Sequence, residues 1–278
     1  MATESDVLMH WAQFAGQHPL AVYGVLLALL LASSAACWWL VRRYHVPHDQ
    51  SALPPLAYLA VRLAAGFGLI VSAAWVFAEI AEELGTTGAS MGQADQALAD
   101  AVRTSLPPAA LQAFALLTRL ADTATLTGLC ILVALALALR GRRWLALGWV
   151  LAVAGNGVLN TTLKAVFARV RPLHDDGPVM ASGFSFPSGH TSGSVVAYGM
   201  LAYVLTRFLP GRWHLPLVLG AAALAFSIGV SRIFLRVHFA SDVLAGLASG
   251  TAWLAVCIAS IELTRWYRRR PGETPIRP

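Results

Sequence analysis

LAVYGVLLALLLASSAACWWLV, Leu20 to Val41, runs without a charge and is closed by Arg42-Arg43. A helix of that length is about 33 Å long, enough to cross the ~30 Å hydrocarbon core of a bilayer. Lipid offers no water to backbone N–H and C=O groups, so a spanning segment of this kind satisfies them internally as a helix. Six further apolar segments follow: about 56–81, 109–139, 144–164, 188–207, 215–232 and 238–262. The chain is 57% hydrophobic and only 12% charged, about half the charge of an ordinary soluble domain. The expectation is an all-α, polytopic transmembrane bundle of seven spans, or six if the first segment does not cross. The C-terminal four helices and their outer loops are expected to form the core.

The net charge is +6. In a soluble chain that would suggest nucleic acid; here the arginines sit in short loops between apolar runs, so no nucleic-acid partner is expected. Arg42 and Arg43; Arg140, Arg142 and Arg143; Arg207 and Arg212; and Arg265, Arg268, Arg269, Arg270 and Arg277 all fall on one side of a seven-span arrangement. The positive-inside rule makes that side cytoplasmic. The other side holds Glu4, Asp6, Glu83, Asp95 and Asp100. Trp38, Trp39, Trp144, Trp213 and Trp266 lie near the predicted interfaces. Residues 1–108 read as N-terminal spans with an outer loop, 109–264 as the core, and 265–278 as a basic cytoplasmic tail. The N-terminus lacks the basic start of a cleavable signal. Within 85–108, Ala97, Leu98, Ala101 and Val102 give a weak apolar stripe, so this stretch is either a short surface helix or a loop. Cys37, Cys130 and Cys257 lie in apolar runs with no metal-ligand spacing.

Three polar clusters interrupt this background. Lys164 to Pro172 (KAVFARVRP) lies at the outer end of the fourth segment. Phe186 to Thr191 (FPSGHT) opens the fifth, and Ser231 to Asp242 (SRIFLRVHFASD) bridges the sixth and seventh. The hydropathy pattern alone brings all three to one face of the membrane. Lys164, Arg171 and Arg232 are cations at the membrane edge, where charge is costly and usually functional or paired. Lys164 is the single lysine of the chain. Arg suits bidentate phosphate contacts and Lys acts as a point charge. Ser188 and Gly189 open a helix whose free N–H groups attract an anion.

Together these features point to a phosphate. His238 and Asp242, four apart, share a helix face; a carboxylate on one imidazole nitrogen fixes the tautomer and raises the basicity of the other. That suits a histidine nucleophile, with His190 placed to protonate the leaving oxygen and then activate water. His174, Asp175 and Asp176 make a poor metal geometry and read as loop residues. Arg119 and Asp122 read as a structural ion pair. Asn156 and Asn160 form a polar stripe with Lys164, which either glues helices together or points into the site. Arg169 and Arg236 read either as contacts to a second phosphate or headgroup, or as surface charge.

Lys164 to Pro172, Pro187 to His190 and Ser231 to Asp242 resemble the three motifs of the type 2 phosphatidic acid phosphatase, or lipid phosphate phosphatase, superfamily: KxxxxxxRP, PSGH and SRxxxxxHxxxD. Every fixed position matches, in order, over the C-terminal half. The resemblance implies a metal- and cofactor-independent lipid phosphatase with His238 as nucleophile, Asp242 as its orienting partner and His190 as general acid. It implies that Lys164, Arg171, Ser188, Gly189 and Arg232 bind phosphate. Its soluble branch holds vanadate; seven spans favour the membrane branch. The expected setting is a bacterial inner membrane with the site facing the periplasm and the C-terminus in the cytoplasm. Undecaprenyl diphosphate is then the first substrate expected, with phosphatidylglycerophosphate, phosphatidic acid and lipid A as rivals. An anionic-lipid transporter or flippase is the alternative class, although the cations cluster at one face instead of lining a path at the midplane.

Overall fold

The computed structural model describes residues 4–44, 55–87, 89–172 and 182–269, and among these every regular element is helical. The ten α-helices are α1 (Glu4–Gln17), α2 (Pro19–Tyr44), α3 (Pro55–Glu82), α4 (Ala89–Ser105), α5 (Pro108–Thr118), α6 (Thr123–Leu139), α7 (Arg143–Phe167), α8 (Gly189–Leu205), α9 (His214–Phe234) and α10 (Ala240–Arg269). By length and composition α2, α7, Gly211–Phe234 and α10 can each cross a membrane. A fifth span results if α5 and α6, which meet at 44°, count as one. Large apolar side chains such as Trp75, Leu132 and Val158 face outward, an extent of exposed apolar surface that a lipid environment requires.

The third apolar segment is therefore not one straight helix. Arg119–Ala121 forms a 3₁₀ turn and Asp122 is extended, with φ −60° and ψ 146°. Side chains bond the carbonyls at this break: Thr125 Oγ1 donates at 2.8 Å to Arg119 O, which also accepts Asp122 N–H at 3.2 Å, and Tyr198 Oη donates to Leu120 O at 2.7 Å. The stretch expected as a surface helix or a loop is largely the helix α4. It packs on α1 so closely that a Cβ at Gly16 would meet Ala101 Cβ at 2.4 Å. His174, Asp175 and Asp176, with Arg270 and Arg277, lie outside the described residues.

The centre of the bundle is α8, whose first turns are small: Thr191, Ser192, Gly193 and Ser194 are all buried. Apolar surface gives helices little drive to associate in lipid, so close backbone approach and polar bonds do the holding. Gly246 and Gly250, one turn apart on α10, supply the approach. A Cβ at Gly246 would lie 2.8 Å from Ser188 O, and one at Gly250 would lie 3.0 Å from Ser192 Cα. Asn156 and Asn160 supply the polar bonds, their Nδ2 atoms donating to Ser192 Oγ at 3.4 and 3.3 Å. Asn160 also reaches Pro187 O at 3.4 Å. The stripe thus fastens α7 to the start of α8. Below it, Trp149, Val196 and Met200 fill the interior among α6, α7, α8 and α10.

Overpacking a tight helix contact costs about 1–3 kcal/mol. Gly246→Val is expected to lower the thermal midpoint in detergent by several degrees and to displace the Ser188 end of α8. Gly220→Ala, where nothing lies within 4 Å of an added Cβ, should leave the midpoint unchanged.

Candidate active site

Helix ends build the site. The end of α9 is a Schellman turn: Arg236 N donates to Ile233 O and Val237 N to Arg232 O, with Arg236 left-handed at φ 56°. This closes the helix and delivers His238 one residue later. At the end of α7, Ala168 is left-handed at φ 44° and its N–H caps Lys164 O at 3.0 Å. The chain turns there and sends Arg169 and Arg171 back over the bundle end. The start of α8 meets the start of α10 where Ser188 N donates to Asp242 O at 2.9 Å.

Asp242 and His238 are buried, 0% and 2% exposed. Asp242 Oδ2 lies 3.4 Å from His238 Nδ1, accepts Phe239 N–H at 2.9 Å and accepts the Ser185 hydroxyl. Ser185 Oγ is also 3.3 Å from His238 Nδ1. On the other side of the ring, Arg171 Nη1 lies 3.1 Å from Nε2. A guanidinium can only donate, so Nε2 is the acceptor and the ring proton sits on Nδ1, toward Asp242. The tautomer follows from this bonding pattern. Burial, reinforced by Arg171 and Arg232 against the opposing pull of Asp242, holds the His238 imidazole at about 3, below its ordinary 6.5. It is a neutral base with its free lone pair on Nε2.

The cations gather around it. Arg171 also donates to the carbonyls of Ser182, Gly183, Phe184 and Val237. Lys164 Nζ donates to Phe184 O and Ser185 O. Arg232, 2% exposed, spends Nη1 on Thr118 Oγ1 at 2.9 Å, while its buried Nε has no partner among the described residues. Arg171 and Arg232 both act electrostatically on His190 and on His238. Gly189 is a packing residue as well, since a Cβ there would meet Asn160 Oδ1 at 2.8 Å. Ser188 is buried, its Oγ accepting from Thr191 Oγ1 at 2.9 Å.

Four residues that carried no functional reading from sequence join the site. Ser185 bonds Asp242. Asp95, from α4, accepts Ser241 N at 3.2 Å, the Ser241 hydroxyl, and Arg169 Nη2 at 2.9 Å. Thr118 holds Arg232. Asp122 lies 3.0 Å from His190 Nε2 instead of pairing with Arg119, which the bend turns away. Arg169 is not bare surface charge but is engaged by two carboxylates. Its Nη1 meets Asp242 Oδ1 and Ser241 Oγ, both at 2.7 Å, and its guanidinium stacks 4.4 Å above Phe239.

Residues 143–266 match the model of the PAP2 superfamily. Phosphatidylglycerophosphatase B of Bacillus subtilis is 31% identical over 160 residues, which is 56% of this chain and 78% of that protein. A lipid A 1-phosphatase of Rhizobium johnstonii is 29% identical over 127 residues, with this chain spanning about half (48%) of its length. The crystal structure of a transmembrane PAP2 type phosphatidylglycerolphosphate phosphatase from Bacillus subtilis superposes with a TM-score of 0.66 at 27% identity, covering 73% of this chain and 98% of that one.

Arg169 is the shared partner of two buried carboxylates, and breaking a buried ion pair from one side costs about 3–5 kcal/mol. Arg169→Met is expected to lower the thermal midpoint sharply and remove most catalytic turnover, whereas Arg169→Lys keeps the charge and part of both. For His238 the folded-state value lies below the unfolded one, so the unfolded chain binds more protons between about pH 6.5 and 3. Stability therefore falls as pH drops through that window. The fall in thermal midpoint from pH 7 to pH 4 should be smaller in His238→Gln than in the unsubstituted protein.

Proposed function

This chain belongs to the PAP2 superfamily, and on that premise we propose that it hydrolyses the phosphate of a membrane lipid through a phosphohistidine formed at His238 Nε2. It is an integral membrane protein and a phosphoric ester hydrolase. The observation that carries the covalent reading is the two-sided setting of His238: buried Asp242 at Nδ1, the Arg171 guanidinium at Nε2. A phosphate gripped by Arg171 has its phosphorus next to the one nitrogen that carries a lone pair.

The steps follow from these contacts. Arg171 moves from Nε2 onto the phosphoryl oxygens, joined by Lys164, by Arg232 through its unpartnered Nε, and by the first N–H groups of α8. Nε2 attacks phosphorus, the bond to the lipid oxygen breaks, and His190 gives that oxygen a proton. Asp242 stabilises the positive ring that attack creates. Water then attacks the phosphohistidine, His190 takes a proton from it, the N–P bond breaks and Nε2 regains its lone pair. The fixed cations stabilise charge on the transferring oxygens throughout, usually the largest single catalytic contribution. No step draws on a metal ion.

Phosphatidylglycerophosphate is the substrate we favour, because the relative that this chain spans most fully carries that name. Undecaprenyl diphosphate, phosphatidic acid and lipid A are the competing substrates. The bundle end that bears the site is the outer one in this reading. The opposite end holds Arg42, Arg43, Arg140, Arg142, Arg143, Arg207, Arg212, Arg265 and Arg268, as a cytoplasmic face does. A bacterial inner membrane is the setting it fits.

The test is phosphate release from proteoliposomes carrying each of the four lipids in turn, with and without a chelator. Release is expected to be fastest from phosphatidylglycerophosphate, unaffected by chelator and abolished by His238→Ala. An alkaline quench during turnover should trap acid-labile phosphate on the protein. Release that survives in His238→Ala would overturn the covalent assignment, and faster release from another of the four lipids would overturn the substrate.

A further inference from the structure

The break between α5 and α6 is an anomaly in an apolar stretch. Irregular backbone at membrane depth is tolerated where protein or a cavity satisfies it. Here it is satisfied deliberately, by Thr125 from α6 and by Tyr198 from α8. Tyr198 lies two turns after His190 on the same helix, so the break is fastened to the helix that carries His190. A second local rule is broken alongside it. Asp122 occupies the N-cap position of α6, where an Asp ordinarily accepts an N–H of the first turn, yet its carboxylate makes no capping bond. It lies 3.0 Å from His190 Nε2 instead. Four residues earlier, on the other side of the break, Thr118 accepts from Arg232. One bend thus places two polar side chains in the site, neither belonging to its three motifs. Local rules given up without a structural gain mark function.

The geometry points to Asp122 as a positioning residue for catalysis: it holds His190 by Nε2 so that Nδ1 faces the leaving oxygen, and it offsets the cations that oppose a positive charge on His190. This rests on the phosphohistidine reading above. The Asp122 carboxylate accepts the Nε2 proton. When His190 is protonated, the second proton sits on Nδ1 and passes to the lipid oxygen as the P–O bond breaks. The emptied Nδ1 lone pair then takes the proton of the attacking water. Burial first, then Arg232 and Arg171, disfavours the imidazolium this cycle needs. A carboxylate at hydrogen-bond distance is the compensation, and Asp122 is the one the structure gives His190.

A residue that acts through the general acid matters in proportion to how badly the leaving group needs a proton. An alkoxide from a lipid phosphate needs one; p-nitrophenolate scarcely does. For Asp122→Asn, the single-turnover rate of release from the lipid phosphate is expected to fall about 10²-fold, the scale of general acid catalysis, while single-turnover p-nitrophenolate release from p-nitrophenyl phosphate changes by less than about 3-fold on the same reasoning. His190→Ala should show the same split in the first step, and the double variant should be no worse than His190→Ala alone. The pH above which lipid turnover declines should move down in Asp122→Asn, since the imidazolium has lost its carboxylate. Asp122→Glu keeps the charge and should restore much of the lipid rate; it also serves if Asp122→Asn does not fold, because the ratio of the two substrate rates is read within one variant. Equal losses on both substrates, an additive double variant, or an unmoved pH limb would overturn the proposal and leave Asp122 as a fastening of the bend. Failure of the phosphohistidine reading looks different, as His238→Ala would then retain activity on both substrates.

Discussion

The structure turns on burying one carboxylate. Asp242 has no exposed surface, and an ionised carboxylate taken out of water is costly unless every lone pair finds a donor. Its two oxygens are met by His238, Ser185, the Phe239 amide and Arg169, and its backbone carbonyl by the Ser188 amide. Those donors come from the α9–α10 turn, the segment before α8, the segment after α7 and the start of α8. Satisfying a single group therefore fixes four helix ends relative to one another. Asp95 extends the arrangement through Ser241 and Arg169 to α4, so an outer helix of largely polar composition is tied to the partner of His238. Half-satisfied, such a network would be worse than an apolar core; fully bonded, it is why the imidazole of His238 has one tautomer and one orientation.

The helices beneath have a different task, which is to bring those ends close together without a hydrophobic drive. They do it with absences of side chain. Gly246 and Gly250 let α10 lie on the backbone of α8, and Gly189 admits Asn160. The same small residues that pack the bundle thus set the position of the α8 N-terminus. Stability and site geometry are not separable here, since Gly246 faces the carbonyl of Ser188, whose amide already serves Asp242.

What could be read from sequence divides along the same line. Residues whose chemistry is tied to local spacing were legible: the His238–Asp242 pair is an i, i+4 relation, and Lys164, Arg171 and Arg232 stand out as cations at the ends of apolar runs. Residues whose role is purely tertiary were not. Asp95 is 146 positions from Ser241, Ser185 looks like one more small residue in a loop, and Asp122 was read with its neighbour Arg119 because helical periodicity puts them on one face. That face does not exist, because the helix ends at Thr118. The ion pairs of Arg169 are hidden from the sequence for a related reason. Periodicity says that it leaves the bundle end, and only the left-handed turn at Ala168 sends it back toward Asp242.

The charges clarify why so cationic a cluster is stable at all. Arg169 is shared by Asp95 and Asp242, and Asp242 also attracts Lys164 and Arg171. Lys164, Arg169, Arg171 and Arg232 together stand against the carboxylates of Asp95, Asp122 and Asp242, leaving the site about one positive charge in excess. Backbone carbonyls of residues 182–185 and Val237 soften that excess for Lys164 and Arg171, because a carbonyl is an acceptor without a charge and can be given up cheaply when a better one arrives. Arg232 has no such relief at Nε, and a buried unpaired donor costs about 1–3 kcal/mol. A phosphate group answers both conditions at once, as an anion and as an acceptor for that N–H.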